Sequence, residues 1–256
     1  MHLVIATRAD PSLPLAHYRG QGTMLEIGAD DLRFSLDEAA ALLKQLQDLE
    51  LSNEDISTLN ERTEGWVTGL KMVVLSMSGQ KDISGFITAF TGSQRYVMDY
   101  LMEEVLQKQT VDIRDFLLKT SLLERLSGPL CDAVTERKGS QDILLNLERG
   151  HLFVVPLDVS RQWYRYEHLF ADLLHHQLEV VSGARQVTEL HQRASQWYED
   201  NNFPDEAIQH ALAAQDWDRA SVLITEQGNK KRQSGEFVTL LNWLQQLPEE
   251  VILSPA

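Results

Sequence analysis

The sequence predicts a mainly α-helical protein with a small two-stranded wing, and three observations carry that expectation. From Asp31 onward apolar residues recur almost everywhere at helical spacing. Between Trp163 and His176 the period changes: Trp163, Arg165 and Glu167 alternate with Tyr164, Tyr166 and His168 as in a strand. Leu169, Phe170, Leu173 and Leu174 then recur as on a helix. Upstream, Leu152 to Leu157 is a second apolar run, and Asp158 to Gln162 is a polar link of hairpin length. Helices followed by strand, turn, strand and helix describe a winged helix, a fold used both to read DNA and to clamp other domains. Fold alone does not choose between these uses.

Taken in order, Leu3 to Thr7 and Thr23 to Ile27 are short apolar runs that predict two parallel strands, joined through prolines and a short helix over Leu15 to Arg19. Two strands cannot complete a doubly wound sheet, so residues 1–28 are expected to be the remnant of an α/β domain. Ser35 and Glu38 form a capping-box pattern ahead of a helix over Leu36 to Leu49. Helices over Asn53 to Arg62 and Trp66 to Met77 complete a helical segment, residues 29–80. Five short helices then lead into the wing: Ile83 to Phe90, Ser93 to Leu106, Ile113 to Thr120, Pro129 to Val134 and Ser140 to Arg149. The winged-helix domain is thus placed at residues 81–181. Beyond it, Val187 to Asn201, Pro204 to Ala214, Trp217 to Gln227 and Phe237 to Leu247 alternate with brief turns, which predicts that residues 182–256 begin a tetratricopeptide-like array.

Composition narrows the function. The 256 residues are 43% hydrophobic and 24% charged, as expected of a globular protein of roughly two domains. Neither a signal peptide nor a run of about 18 apolar residues is present, so a cytoplasmic protein without a membrane partner is expected. The single cysteine, Cys131, excludes an internal disulfide framework and reads as a core residue. A formal charge of -15 opposes close approach to phosphate backbones.

The stretches ATRADPSLPLAHYRGQG, ADDLRFSLDEA, TEGWVTGLKMVVLS, FTGSQRYVMDYLMEEVL, FLLKTSLLERLSGPLCDAV, LERGHLFVVPLD and WYRYEHLFADLL occur in fixed order. Together they resemble the MalT-like, ATP-dependent large regulators of the LuxR family, almost continuously from Met1 to about Ile224. The resemblance implies a STAND-type ATPase. Its parts are an α/β nucleotide-binding domain, a helical lid, a winged helix, a helical-repeat sensor and a C-terminal DNA-binding helix-turn-helix. This chain resembles the middle of that array. The implied partners are the N-terminal ATPase portion or a separate chain supplying it, and a small-molecule or protein inducer at the repeats. DNA would be reached only through the C-terminal domain.

The resemblance also singles out nucleotide-facing positions. Arg8 matches the sensor arginine directed at the γ-phosphate. Gly65, Trp66 and Val67 match the lid element that packs over the adenine, with Val67 standing where the family often has proline. Glu167 and His168 match the motif at which the winged helix reaches the phosphates of ADP, and Glu167 stands where relatives commonly carry the first of two histidines. No GxxxxGK[ST] occurs, so no glycine-rich loop is present to hold β- and γ-phosphates. No catalytic residue is therefore assigned, and no tightly bound cofactor is expected, ATP or ADP with Mg²⁺ belonging to the full-length family.

Other constellations reduce to surface. His168, Asp172, His176 and Glu179 share one helical side but form no HExxH motif, so no metal site is assigned. Lys230, Lys231 and Arg232 read as a solvated turn between repeat helices. The leading expectation is a regulatory fragment that is not itself an enzyme and acts by interdomain docking and ligand-controlled release. The alternative is a stand-alone winged-helix DNA-binding regulator, which a basic recognition helix would favour, whereas SQDILLNLER before the wing is acidic to neutral.

Overall fold

The computed structural model describes residues 3–7, 11, 13–46, 51–77, 82–90 and 94–252, and they form a mainly helical protein with one two-stranded sheet. They divide into two compact units, residues 1–114 with 143–176 and residues 115–142 with 177–256. Among them no helix is long and apolar enough to cross a membrane.

The two strands expected near the amino terminus are not formed. Residues 3–7 and 23–27 carry no strand, and Leu3, Val4 and Leu25 are 71%, 92% and 87% exposed. Apolar composition makes a strand only where a neighbour completes the ladder, and among the described residues the one sheet is formed elsewhere, by Val154–Pro156 and Tyr164–Tyr166. Instead, helix α1 (Leu15–Gly20) ends in a turn whose Thr23 amide donates to the Tyr18 carbonyl.

In the first unit several helices have a local reason to start. Ser35 and Glu38 exchange hydrogen bonds ahead of α2 (Leu36–Leu46), the expected capping box. Ser52 and Asp55 do the same for α3 (Asn53–Thr63). Helix α4 (Val67–Met77) buries Leu70, Val73, Val74 and Met77, and Gly69 leaves room for the ring of Trp66. Helices α5 (Ile83–Thr88) and α6 (Arg95–Glu104) follow, and Arg62 on α3 donates to the Thr88 and Phe90 carbonyls, occupying acceptors at the end of α5.

Helices α7 (Val111–Thr120), α8 (Gly128–Thr135) and α9 (Ser140–Arg149) precede the wing. Strand β1 (Val154–Pro156) pairs antiparallel with β2 (Tyr164–Tyr166), Val155 lying opposite Arg165. Asp158 organises the link by accepting from the Gln162 and Trp163 amides and the Ser160 hydroxyl. Helix α10 (His168–Val181) follows at once, with Phe170, Leu173 and Leu174 buried.

In the second unit, α11 (Ala184–Asp200) packs on α8 and on α12 (Pro204–Ala213). Small residues permit this: Ala194, Ala207 and Ala211 are fully buried, and the Ser195 hydroxyl donates to the Ala207 carbonyl at 2.8 Å. Cys131 is buried in the same unit, and burial pushes its thiol pKa well above the ordinary range, as befits an inert core residue. Helices α13 (Trp217–Gln233), α14 (Phe237–Gln246) and α15 (Glu249–Ile252) complete the chain. Lys230, Lys231 and Arg232 lie in the last turn of α13 rather than in a turn between helices, where cations complement the helix dipole. Lys231 is not solvated surface either: its side chain is 13% exposed, and its ammonium bonds Asp205 at 2.6 Å and Glu236 at 2.7 Å.

Candidate functional site

The site grows from the end of α3. Glu64 follows the helix in the left-handed conformation (φ 51°), and Gly65 continues in it (φ 71°). This reversal drives the backbone against Phe34, whose amide donates to the Gly65 carbonyl at 2.8 Å. A Cβ on Gly65 would lie 2.6 Å from the Phe34 carbonyl oxygen, closer than real side chains come, so only glycine fits. What approaches Gly65 closely is this chain's own backbone at Phe34.

The reversal points the Glu64 carboxylate at the wing. Arg165 grips it with two bonds of 2.9 and 2.7 Å, and the amide of His168, the first residue of α10, donates to it at 2.9 Å. The His168 ring lies 3.0 Å from the same oxygen. A helix amino terminus is where an anion is stabilised, by unpaired N–H groups and by the helix dipole. Here that anion is Glu64. Burial pushes its pKa up, but the Arg165 bond, the His168 amide and the surrounding charge outweigh that, so its carboxyl sits below the usual range.

Arg33 ties in the other carboxylate. It donates to the Glu64 carbonyl at 2.6 Å and pairs with Glu167. Glu167 nevertheless has a raised pKa, because desolvation of its 15% exposed side chain outweighs the attraction of Arg33, and the neighbouring Glu64 charge adds to the rise. Two carboxylates in one node are thus pushed in opposite directions, the one with the bidentate partner and the helix amide holding its charge more firmly.

Trp66 closes the apolar side. Its ring meets Phe153 edge-on with centroids 5.3 Å apart and Tyr100 at 5.7 Å, and Phe153 in turn leans on Phe170. Phe153 holds a left-handed backbone (φ 56°), uncommon for a bulky residue, while its carbonyl accepts from the Glu167 amide at 2.9 Å. Val67 is the half-buried first residue of α4.

Five of the six positions singled out by resemblance therefore lie in one compact unit, while Arg8 lies outside the described residues. Trp66, Glu167 and His168 line a shared crevice with Arg62, Glu64 and Phe153. Its enclosed volume is about 0 Å³, against the roughly 300 Å³ and more of a small-molecule pocket. Side chains of the chain itself fill the place. Sequence reasoning missed Arg33, Glu64 and Arg165. The signal available for Glu64 was its position between a helix end and a glycine, and for Arg165 its place in the β alternation. No cluster of three or more His, Cys, Asp or Glu able to hold a metal occurs among the described residues.

Residues 102–187 match the MalT winged helix domain family. Over all 256 residues the chain is 33% identical to a serine/threonine-protein kinase PknK of Mycobacterium tuberculosis, covering 100% of this chain and 23% of that protein. It is 28% identical over 254 residues to the HTH-type transcriptional regulator MalT of Vibrio campbellii, covering 98% and 28%. To the HTH-type transcriptional regulator MalT of Klebsiella pneumoniae it is 36% identical over 223 residues, covering 84% and 24%. The chain thus carries a MalT-type winged helix and is homologous along its length to MalT-like regulators. It spans about a quarter of the length of these curated relatives.

Proposed function

We propose that this chain is a regulatory segment of a signal-transducing protein, in which the helical residues 29–80 act as a lid that docks on the wing and is released by a ligand or partner. The observation that carries the reading is Glu64, an internal anion seated at the amino terminus of α10 and gripped by Arg165. A docking contact that must open needs a few strong, polar, geometrically demanding bonds rather than a continuous apolar interface. The node supplies them.

The kinds of relatives support the same reading. One stretch aligns along nearly its whole length with a protein named a kinase and with proteins named transcriptional regulators. What such a stretch contributes to both is neither phosphoryl transfer nor DNA reading but control over whichever output accompanies it. The chain is accordingly not an enzyme by itself. ATP or ADP with Mg²⁺ would enter only with a phosphate-binding loop, and would meet Trp66, Val67, Glu167 and His168 only after the node opened. Titration of this chain with ADP and Mg²⁺ should show no site tighter than about 1 mM.

The direct test is hydrogen exchange of the full chain and of Glu64→Ala. The variant should lose protection at the Phe34 and His168 amides while the amides of α11 and α12 are unchanged. Unchanged exchange at both node amides would overturn the docking role.

A further inference from the structure

The wing holds one residue in a backbone conformation that no neighbouring turn requires. Among the described residues, the other non-glycine positions with positive φ stand at chain reversals. Glu64, Glu136, Asn202 and Gln215 lie just past the ends of α3, α8, α11 and α12, and Arg161 lies in the hairpin link. His151 (φ 50°) closes α9 in the same way, its amide donating to the Glu148 carbonyl at 2.9 Å and the Leu152 amide to the Leu147 carbonyl at 3.0 Å. Phe153 (φ 56°) does neither. The helix is already closed before it, and β1 begins at the next residue, Val154.

A left-handed backbone is unfavourable for a bulky side chain and persists where the surroundings over-determine it. Two aromatic rings do so here. The Phe153 ring meets Trp66 edge-on and leans on Phe170, each with centroids 5.3 Å apart. Trp66 belongs to residues 29–80 and Phe170 to α10, so the strained residue is clamped from both sides of the contact. Its alternative is defined by the sheet register. Val154 faces Tyr166 in an antiparallel pair, so an extended Phe153 would face Glu167, whose amide already donates to its carbonyl at 2.9 Å. Because side chains alternate along a strand, its ring would then stand on the face of Val155 and Arg165, the face from which Arg165 grips Glu64. Docking of Glu64 and extension of β1 therefore compete for one face.

We propose that Phe153 is a two-state element coupling the lid to the wing: with the lid docked, Trp66 holds it left-handed, and on release it relaxes into β1, lengthening the strand by one residue. This coupling rests on the docking reading of Glu64 and adds what the wing does when that contact opens. Strain at Phe153 weights the equilibrium toward release. Glu167, paired with Arg33 beside the start of α10, is the residue whose surroundings change with it. All of these residues belong to the first unit.

The test is NMR with hydrogen exchange on the full chain. In the wild type the Phe153 Cα and Cβ shifts should be those of a left-handed residue. In Glu64→Ala, which should open the node, they should move to the extended range while the amides of α11 and α12 keep their protection. Loss of protection at Phe34 with Phe153 still left-handed would overturn the coupling and leave the docking reading standing, whereas unchanged protection at Phe34 would overturn both. A second pair of variants removes the ring equally and differs in tolerance of the strain. The Phe34 amide should open about fivefold less often in Phe153→Gly than in Phe153→Ala, because glycine takes up the left-handed backbone without steric cost. Equal opening in the two would show that no strain is released on undocking, and would overturn the proposal.

Discussion

Glu64 and His210 are both titratable side chains withdrawn from water, and the two regions of the molecule keep them there by opposite means. Around Glu64 the charge is kept and matched, by a bidentate arginine and a helix amide. Around His210 the charge is given up. Burial, with the neighbouring His191, pushes its pKa down to about 3, and its bonded nitrogen faces another imidazole rather than a carboxylate. A matched ion pair is directional and costly to break on one side, which suits a contact that opens as a unit. An uncharged imidazole leaves no charge unmatched when its surroundings shift slightly, so this region depends less on any one partner. The contrast predicts where each region fails.

The largest effect should come from Gly65→Ala. The methyl group would meet the Phe34 carbonyl oxygen at 2.6 Å in a left-handed backbone, so clash and strain add, by about 3 kcal/mol or more. Local opening free energies from native-state hydrogen exchange should fall by that amount around Phe34 and the wing, and leave α11 and α12 unchanged. A loss spread evenly over both units would remove the distinction between them.

Next comes Arg165→Ala. It strands Glu64, whose side chain is only 14% exposed, and should cost about 2 kcal/mol in the first unit, less than for a fully buried pair because Arg165 is 29% exposed. In a double-mutant cycle Glu64→Gln should recover part of that cost. Strict additivity of the two substitutions would show that the bonds between them contribute little.

Acidification should separate the regions by pH. His210 titrates near 6.5 when unfolded and near 3 when folded. Above pH 6.5 neither state binds the proton and there is no penalty. Below it the unfolded state binds the proton and the folded state does not, so stability falls continuously as pH drops toward 3, by about 2 kcal/mol at pH 5. Glu64 behaves differently. Its folded pKa is depressed, so its contribution is intact above about 4.5 and is lost only as pH falls below that through the folded value. Hydrogen exchange at pH 7 and pH 5 should therefore weaken α11 and α12 first, and His210→Gln should flatten that dependence.

These differences also explain what the sequence revealed. The wing, α10 and the helix succession were legible because hydrophobic period is a local property, and the caps at Ser35 and Ser52 sit beside the helices they start. The strands expected at residues 3–7 and 23–27 failed because membership of a sheet depends on partners that a local run does not specify. The node was invisible for a similar reason: Arg33 and Glu167 are 134 positions apart, and Glu64 and Arg165 are 101. Gly65, Trp66 and Glu167 were found through resemblance, yet their partners in the fold are side chains and backbone of the chain itself. Lys231 was misread because a run of three cations resembles a solvated loop, whereas Asp205 and Glu236 draw its ammonium inward.

The smallest effect expected in the node belongs to Glu167→Gln, and it asks whether the two carboxylates are equivalent. Glu167 pairs with Arg33, so a count of ion pairs would rank it beside Glu64. Its raised pKa says otherwise: desolvation already costs its charged form more than Arg33 returns. A glutamine keeps the shape and an acceptor for Arg33 while removing that desolvation cost, so the change in local stability at pH 7 should stay within about 1 kcal/mol. The pH dependence has a defined sign. With the folded pKa above the unfolded one, the wild-type chain loses stability as pH rises from the unfolded value of about 4.5 to the folded one, and the variant should not. Exchange of the Phe34 and Glu167 amides across pH 4 to 7 would measure it. A loss as large as that in Arg165→Ala would mean that Arg33 and Glu167, rather than Glu64 and Arg165, hold the end of α3 to the wing.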